Sequence, residues 1–218
     1  MRNVLVVATH PDDETLGCGG TLLKHKAQGD EIHWLICTET EPGFAFYKKR
    51  KKEIESVIKL YSFRSVHHLN LQTMQVDEYS MNELIGKISK VIDQIRPNIV
   101  YMPFKSDIHS DHRVIFEATY SCTKSFRYPF IKNIYMMEIL SETEFAPSSK
   151  GDSFIPNVFV DISEYMDKKI EIMRVFDSEI GEHPFPRSEK NIRALGVFRG
   201  AMAGCKYAES FILLKEIK

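Results

Sequence analysis

The sequence predicts an α/β fold of three layers, with helices covering both faces of a mainly parallel central sheet. Short β-branched runs alternate with longer amphipathic stretches from the first residue to about position 165. The segment 81–95 shows the helical period plainly, because Leu84, Ile85, Ile88, Val91, Ile92 and Ile95 fall at three- and four-residue steps. Gly29 and Pro97 stand where a helix stop and a strand entry belong. Strands separated by helices in regular order favour parallel pairing through right-handed crossovers, and ligands then bind outside the carboxyl ends of the strands.

Taken in order, strands are expected at 3–8, 31–37, 66–71, 98–104, 133–140 and 157–162, with helices at 15–28, 46–61, 81–95 and 111–126 between them. Beyond position 161 the pattern changes to a helix at 164–176, a stretch rich in Gly and Pro at 181–187, a last helix, and a short strand near 211–214. The 218 residues suit one domain over 1–218, with a core of about 1–163 and a C-terminal helical extension and short strand over 164–218. No internal repeat or low-complexity segment is visible.

Composition excludes several classes of function. With 43% hydrophobic and 27% charged residues the chain is not disordered as a whole. Twenty-nine Lys and Arg against thirty Asp and Glu, a formal charge of −1, give no global cationic field, so nucleic acid is not the expected partner. The apolar run at 4–8 is too short for a signal-peptide core and reads as a first strand, and no stretch approaches the roughly eighteen apolar residues of a membrane span. Cys18, Cys37, Cys122 and Cys205 form no CxxC pair, so reduced core thiols in a cytoplasmic protein are expected. The basic run from Lys48 to Lys52 reads as a solvated helix face.

Two polar segments carry the chemistry. Thr9-His10-Pro11-Asp12-Asp13-Glu14 follows the first strand, and Ser106-Asp107-Ile108-His109-Ser110-Asp111-His112 follows the strand at 98–104. Taken alone, the first could be a turn whose aspartates cap the next helix. In a parallel sheet, however, both loops open on one edge, so His10, Asp12, Asp13, His109, Asp111 and His112 can converge. Imidazole and carboxylate donors without thiolate suit zinc held by three protein ligands, and ferrous iron fits a 2-His-1-carboxylate set equally well. Spare carboxylates beyond three ligands suit metal-assisted hydrolysis, which needs a proton acceptor for water and a donor for the oxyanion or leaving group.

His10-Pro11-Asp12-Asp13-Glu14 together with His109-Ser110-Asp111-His112 resembles the HPDDE and HxDH signatures of the PIG-L/LmbE-type zinc-dependent de-N-acetylases. The likeness continues through Leu16-Gly17-Cys18-Gly19-Gly20-Thr21, the Arg50 to Glu53 helix segment, Arg96-Pro97-Asn98-Ile99-Val100, Val160-Asp161-Ile162, and Arg199-Gly200 before Tyr207-Ala208-Glu209-Ser210-Phe211, and so covers essentially the whole chain. It implies a Rossmann-like three-layer fold and hydrolysis of the N-acetyl amide of an amino sugar or sugar conjugate to acetate and a free amine. It also implies that His10, Asp13 and His112 ligate zinc, that Asp12 is the general base, that His109 is a positive donor to the oxyanion or the departing amine, and that Asp111 orients and charges His109. Arg50 becomes a substrate contact by the same analogy. Homo-oligomers are common in the family.

Departures bear on the substrate. The family often carries Thr-x-Gly-Glu after the second strand; here Thr38 and Glu41 are kept, while Thr40 stands at the glycine. Phe44, Phe46 and Tyr47 are placed to line a sugar pocket, Trp34 reads as core, and His183 in the Pro-rich loop reads as exposed rather than catalytic. His25, His33, His67 and His68 read as structural or surface residues. A nucleotide-binding module is the rival from another class, but Gly17, Gly19 and Gly20 do not give GxGxxG, because Leu22 holds the third position. The same site acting on another N-acyl substrate is the remaining alternative.

Overall fold

Near-continuous apolar runs at 4–8, 34–37 and 99–102 produce a sheet whose central strands are buried on both faces. A computed structural model describes every residue except 40–42, 44, 45 and 150, so Thr40, Glu41 and Phe44 lie outside the described residues. The elements are β1 (Asn3–Ala8), α1 (Asp13–Ala27), β2 (Glu31–Glu39), α2 (Tyr47–Tyr61), β3 (Ser65–Gln72), a 3-10 turn (Val76–Glu78), α3 (Met81–Ile95), β4 (Ile99–Met102), α4 (Ser110–Ser121), β5 (Asn133–Met137), β6 (Val158–Asp161), α5 (Met166–Met173), α6 (Glu189–Ala203) and β7 (Ala208–Glu216). Among the described residues they form a seven-stranded sheet in the order β3-β2-β1-β4-β5-β7-β6. β1 through β5 pair in parallel, whereas β7 runs antiparallel to both its neighbours.

The two-residue period of β1 sorts the core into two halves. Val4, Val6 and Ala8 join Trp34 and Ile36 of β2 against α1, α2 and α5, through Leu22, Tyr61 and Ile170. Leu5 and Val7 join Leu35 and Val100 against α3 and α4, where Leu84, Ile88 and Ile115 pack. Trp34 is fully buried, as expected of core. In α3 the apolar stripe predicted from spacing is the buried face; Ser80 caps its start by accepting the Glu83 N–H, and Arg96 ends it in the left-handed region ahead of Pro97.

Several boundaries differ from expectation. α1 begins at Asp13 rather than at 15, which puts Asp13 and Glu14 in its first turn, where the partial positive charge of the helix N-terminus favours them. α4 stops at Ser121 rather than near 126, and the 3-10 turn was not foreseen. The last strand is not short. It spans nine residues and inserts between β5 and β6, a placement that depends on partners about fifty or more residues distant along the chain. Cys18, Cys37 and Cys122 are buried as expected, while Cys205 is only partly so. No helix among the described residues is long and apolar enough to cross a membrane.

The glycine run serves packing rather than phosphate binding. At Cys18 (φ −148°, ψ 23°) α1 kinks, and a second helical segment starts there. A Cβ on Gly19 would lie 2.6 Å from the Tyr61 hydroxyl and one on Gly20 2.7 Å from the Ile162 side chain, so only glycine permits this approach. The N–H groups freed at the kink are taken up by β7: Gly20 N and Thr21 N donate to the two carboxylate oxygens of Glu209 at 2.8 and 2.7 Å. Lys169 of α5 completes the set, its ammonium 2.7 Å from Glu209 Oε1 and 2.9 Å from the Leu16 carbonyl. Both side chains are about 95% buried, so removing one strands the other. Glu209→Ala is therefore expected to destabilise the protein by about 3–5 kcal/mol, with Glu209→Gln costing less, as read from urea unfolding midpoints. Equal stability of wild type and Glu209→Ala would refute this role.

Candidate active site

The strand order reverses between β1 and β4. Crossovers leave these neighbours in opposite directions, which opens a crevice at their carboxyl ends. Both polar segments fall there, one directly after Ala8 and the other following Met102.

Three ligand atoms converge in the crevice. His112 Nε2 lies 3.2 Å from His10 Nδ1 and 3.3 Å from Asp13 Oδ2, and His10 Nδ1 lies 4.0 Å from Asp13 Oδ2. The outer partners settle the tautomers. His112 Nδ1 is 2.9 Å from Asp107 Oδ2, a group that accepts, so the ring proton sits on Nδ1 and Nε2 presents a lone pair. His10 Nε2 is 3.3 Å from Asp111 Oδ2, which likewise leaves Nδ1 with a lone pair. Asp107 is held in turn by the Thr143 hydroxyl at 2.7 Å. Two imidazole nitrogens and a carboxylate at such distances call for positive charge among them, either a proton on His112 Nε2 or a metal ion. Ligands about 2.0–2.1 Å from a tetrahedral zinc would sit roughly 3.4 Å apart, so the donor set fits a metal ion. Without a cation the burial of His112 favours its neutral form, but Asp13 and Asp107 outweigh this and push it up to about 9.

A second group, His10, His109 and Asp111, is also close. Its atoms already satisfy one another: Asp111 pairs with His10 Nε2, and His109 Nδ1 accepts the Asp111 N–H at 3.1 Å as the N-cap of α4. That bond leaves the proton of a neutral His109 on Nε2. Burial, aided by the nearby His10, lowers the His109 pKa to about 4, which favours the neutral ring with its N–H on Nε2. Asp111 lies between the two imidazoles. Its carboxylate stands 4.0 Å from His109 Nδ1 and turns instead to His10, held by the backbone N–H of Met74 at 2.7 Å and of Val76 at 3.3 Å. The unforeseen 3-10 turn and the residues that lead into it supply this cradle.

Asp12 makes no helix-capping bond, which overturns the capping alternative, and the Asp13 carboxylate accepts the His10 N–H at 2.8 Å. Asp12 has φ 136° and ψ −26°, a region costing a non-glycine residue about 1–3 kcal/mol. Burial, then the charges of Asp13 and Glu179, hold its carboxyl well above the usual carboxylate range. Glu14 behind it is fully buried, and burial, opposed by its bond with Thr15, raises it to about 8.

A cleft of about 240 Å³ opens over His10, Asp12 and His109, walled by Arg50, Glu142 and Arg187. Arg50 is held at 3.4 Å by Glu53, by Ser178 at 3.2 Å and by Glu179, and stacks over Phe176. Arg187 donates to Glu179 Oε2 at 3.0 Å and to Ser141 Oγ at 2.7 Å, so Glu179 is bracketed by two guanidinium groups. Sequence reasoning missed Arg187, Glu179 and Glu142. It marked the Pro-rich loop for His183, which is exposed and does not line the cleft, although Arg187 at the same loop's end was the available signal. Tyr47 lines a neighbouring cavity of about 280 Å³ that shares Pro11 and Arg50 with the cleft, and Phe46 is exposed. His25 is buried and satisfied between Asp30 and the Tyr101 hydroxyl, as expected of a structural residue.

Comparison with known proteins bears on the family and the fold. The family model PIG-L: GlcNAc-PI de-N-acetylase matches residues 5–123, which include both polar segments. The diacetylchitobiose deacetylase of Thermococcus kodakarensis is 26% identical over 224 residues, covering 96% of this chain and 82% of that protein. The solved N,N'-diacetylchitobiose deacetylase of Pyrococcus horikoshii superposes with a TM-score of 0.78 at 22% identity, covering 98% of this chain and 84% of that one. GalB, the 4-carboxy-2-hydroxymuconate hydratase of Pseudomonas putida KT2440, superposes equally well (0.78, 15% identity, 100% and 98% covered), so the fold alone does not select the reaction. With the family model spanning more than half of its residues, the chain belongs to the PIG-L de-N-acetylase family.

Proposed function

We propose that the protein is a metal-dependent deacetylase that hydrolyses the N-acetyl amide of an amino sugar or amino-sugar conjugate to acetate and a free amine. The observation that carries this reading is a set of three converging lone pairs, on His10, Asp13 and His112, beside a separate buried carboxylate, Asp12, in one cleft. Family membership and the deacetylase relatives support the acetamido sugar as substrate class. Zinc is the proposed ion, with ferrous iron the alternative for the same donors. Four cysteines without a disulfide suit a reducing compartment, and the cytoplasm is the proposed one.

When bound, the ion would polarise the acetamido carbonyl and bring water acidity towards neutrality. The protein's own groups divide the remaining work. Asp12 takes a proton from water as its oxygen forms the bond to the acetyl carbon; its raised pKa suits it to hold that proton. His109 offers its Nε2–H to the developing oxyanion, and as a neutral donor it needs no prior protonation. Asp12 then returns the proton to the amide nitrogen as the C–N bond breaks, so that acetate and amine leave. Asp107 and Asp111 keep His112 and His10 in the tautomers that present their lone pairs inward.

Asp12→Asn is expected to retain about one metal ion per chain while kcat on N,N'-diacetylchitobiose falls by about 10²–10⁴; metal loss in this variant would mean that the roles of Asp12 and Asp13 are exchanged. His112→Ala should empty the site by elemental analysis, and full occupancy would overturn the ligand set. Chelation should abolish amine release, and readdition of Zn²⁺ or Fe²⁺ identifies the ion by which one restores it. A protein without metal affinity, or with chelator-insensitive turnover, would sink the reading.

A further inference from the structure

The peptide unit between Pro11 and Asp12 is gripped at both ends by side chains. Its carbonyl oxygen accepts from Arg50 Nη1 at 3.3 Å, and its N–H donates to Glu14 Oε2 at 3.1 Å. Neither partner is free to move. Arg50 is tied to Glu53, Ser178 and Glu179, and Glu14 is bound at 2.6 Å by the Thr15 hydroxyl, which accepts from Tyr61 OH at 3.1 Å. The peptide unit on the other side of Asp12 is anchored as well, because the Asp12 carbonyl accepts the N–H groups of Thr15 and Leu16, both at 2.9 Å. The Asp12 Cα is thus suspended between two immobilised peptide planes, and their relative orientation fixes its φ of 136° and ψ of −26°. An aspartate does not adopt that angle unless the surroundings over-determine it.

We propose that Arg50 and Glu14 are positioning residues that clamp the Pro11–Asp12 peptide and thereby hold Asp12 in the strained backbone conformation that aims its carboxylate into the cleft. The inference rests on the reading of Asp12 as the general base, and it changes the role of Arg50 from substrate contact to backbone support. Of the non-glycine residues with positive φ, Asp12 lies furthest from the left-handed helical region, and the preceding peptide meets the buried Glu14 at one end and the partly buried Arg50 at the other. The glycine that would relieve the strain is absent, because the position needs a carboxylate.

The clamp separates from a structural or substrate-binding role by two measurements. On N,N'-diacetylchitobiose, Arg50→Gln is expected to lower kcat by about 10²-fold, as a misplaced base does, with KM changed by less than about threefold and metal retained. Glu14→Gln, which keeps an oxygen to accept the Asp12 N–H, should retain more activity than Glu14→Ala. A raised KM at unchanged kcat in Arg50→Gln would make Arg50 a substrate contact and overturn the proposal. The second measurement needs no turnover. Because glycine adopts φ 136° freely and alanine does not, Asp12→Gly should melt above Asp12→Ala by about 2–4 °C, and the gap should narrow when Arg50→Gln is added. A gap of the same size with and without the clamp overturns the proposal. Full activity in Asp12→Asn would overturn the role of Asp12 as base, and the melting comparison, which reads the backbone alone, would still decide the clamp.

Discussion

Five carboxyl groups, those of Asp12, Asp13, Glu14, Asp107 and Asp111, are buried around the carboxyl ends of β1 and β4, and the rest of the structure answers to that constraint. Removing a carboxylate from water costs several kcal/mol after relaxation, so each must be neutralised, protonated or surrounded by donors. Each solution is visible. Asp13 and Glu14 stand in the first turn of α1, Asp111 in the first turn of α4, Asp111 also accepts two backbone N–H groups, and Glu14 and Asp12 are pushed towards their protonated forms. Asp107 and Asp13 face imidazoles. The arrangement is costly as plain architecture, and a divalent cation among His10, Asp13 and His112 would lower that cost.

The scaffold that tolerates this cluster is built away from it. α1 begins directly on the HPDDE segment and kinks at Cys18, and the kink is held by Glu209 from the far end of the chain and Lys169 from α5. The C-terminal segment is therefore a working part of the layer that carries the site. It adds β7 to the sheet, and the loop ahead of α6 contributes Arg187 to the wall of the cleft.

How legible the site was depended on how local its logic is. The two motifs, and their meeting at one edge of a parallel sheet, were readable because strand alternation and loop position are encoded by nearest neighbours. The crossing of roles was not readable. Asp111 lies two residues from His109, yet its carboxylate serves His10, whose side chain arrives from a segment about one hundred residues earlier. Asp107, two residues before His109 in a motif already singled out, sets the tautomer of His112 through a contact that spacing alone does not reveal.

The sequence by itself determined most of the helices and strands, the parallel core and the two motifs that meet in the site, because hydrophobic period, glycine and proline placement and residue chemistry act over a few residues. Only the tertiary structure decided the antiparallel insertion of β7, the strain at Asp12 and the enclosure of Glu179 between Arg50 and Arg187. These features depend on groups brought together from segments distant along the chain. Their energies are set by burial and hydrogen-bond geometry, which no local pattern carries.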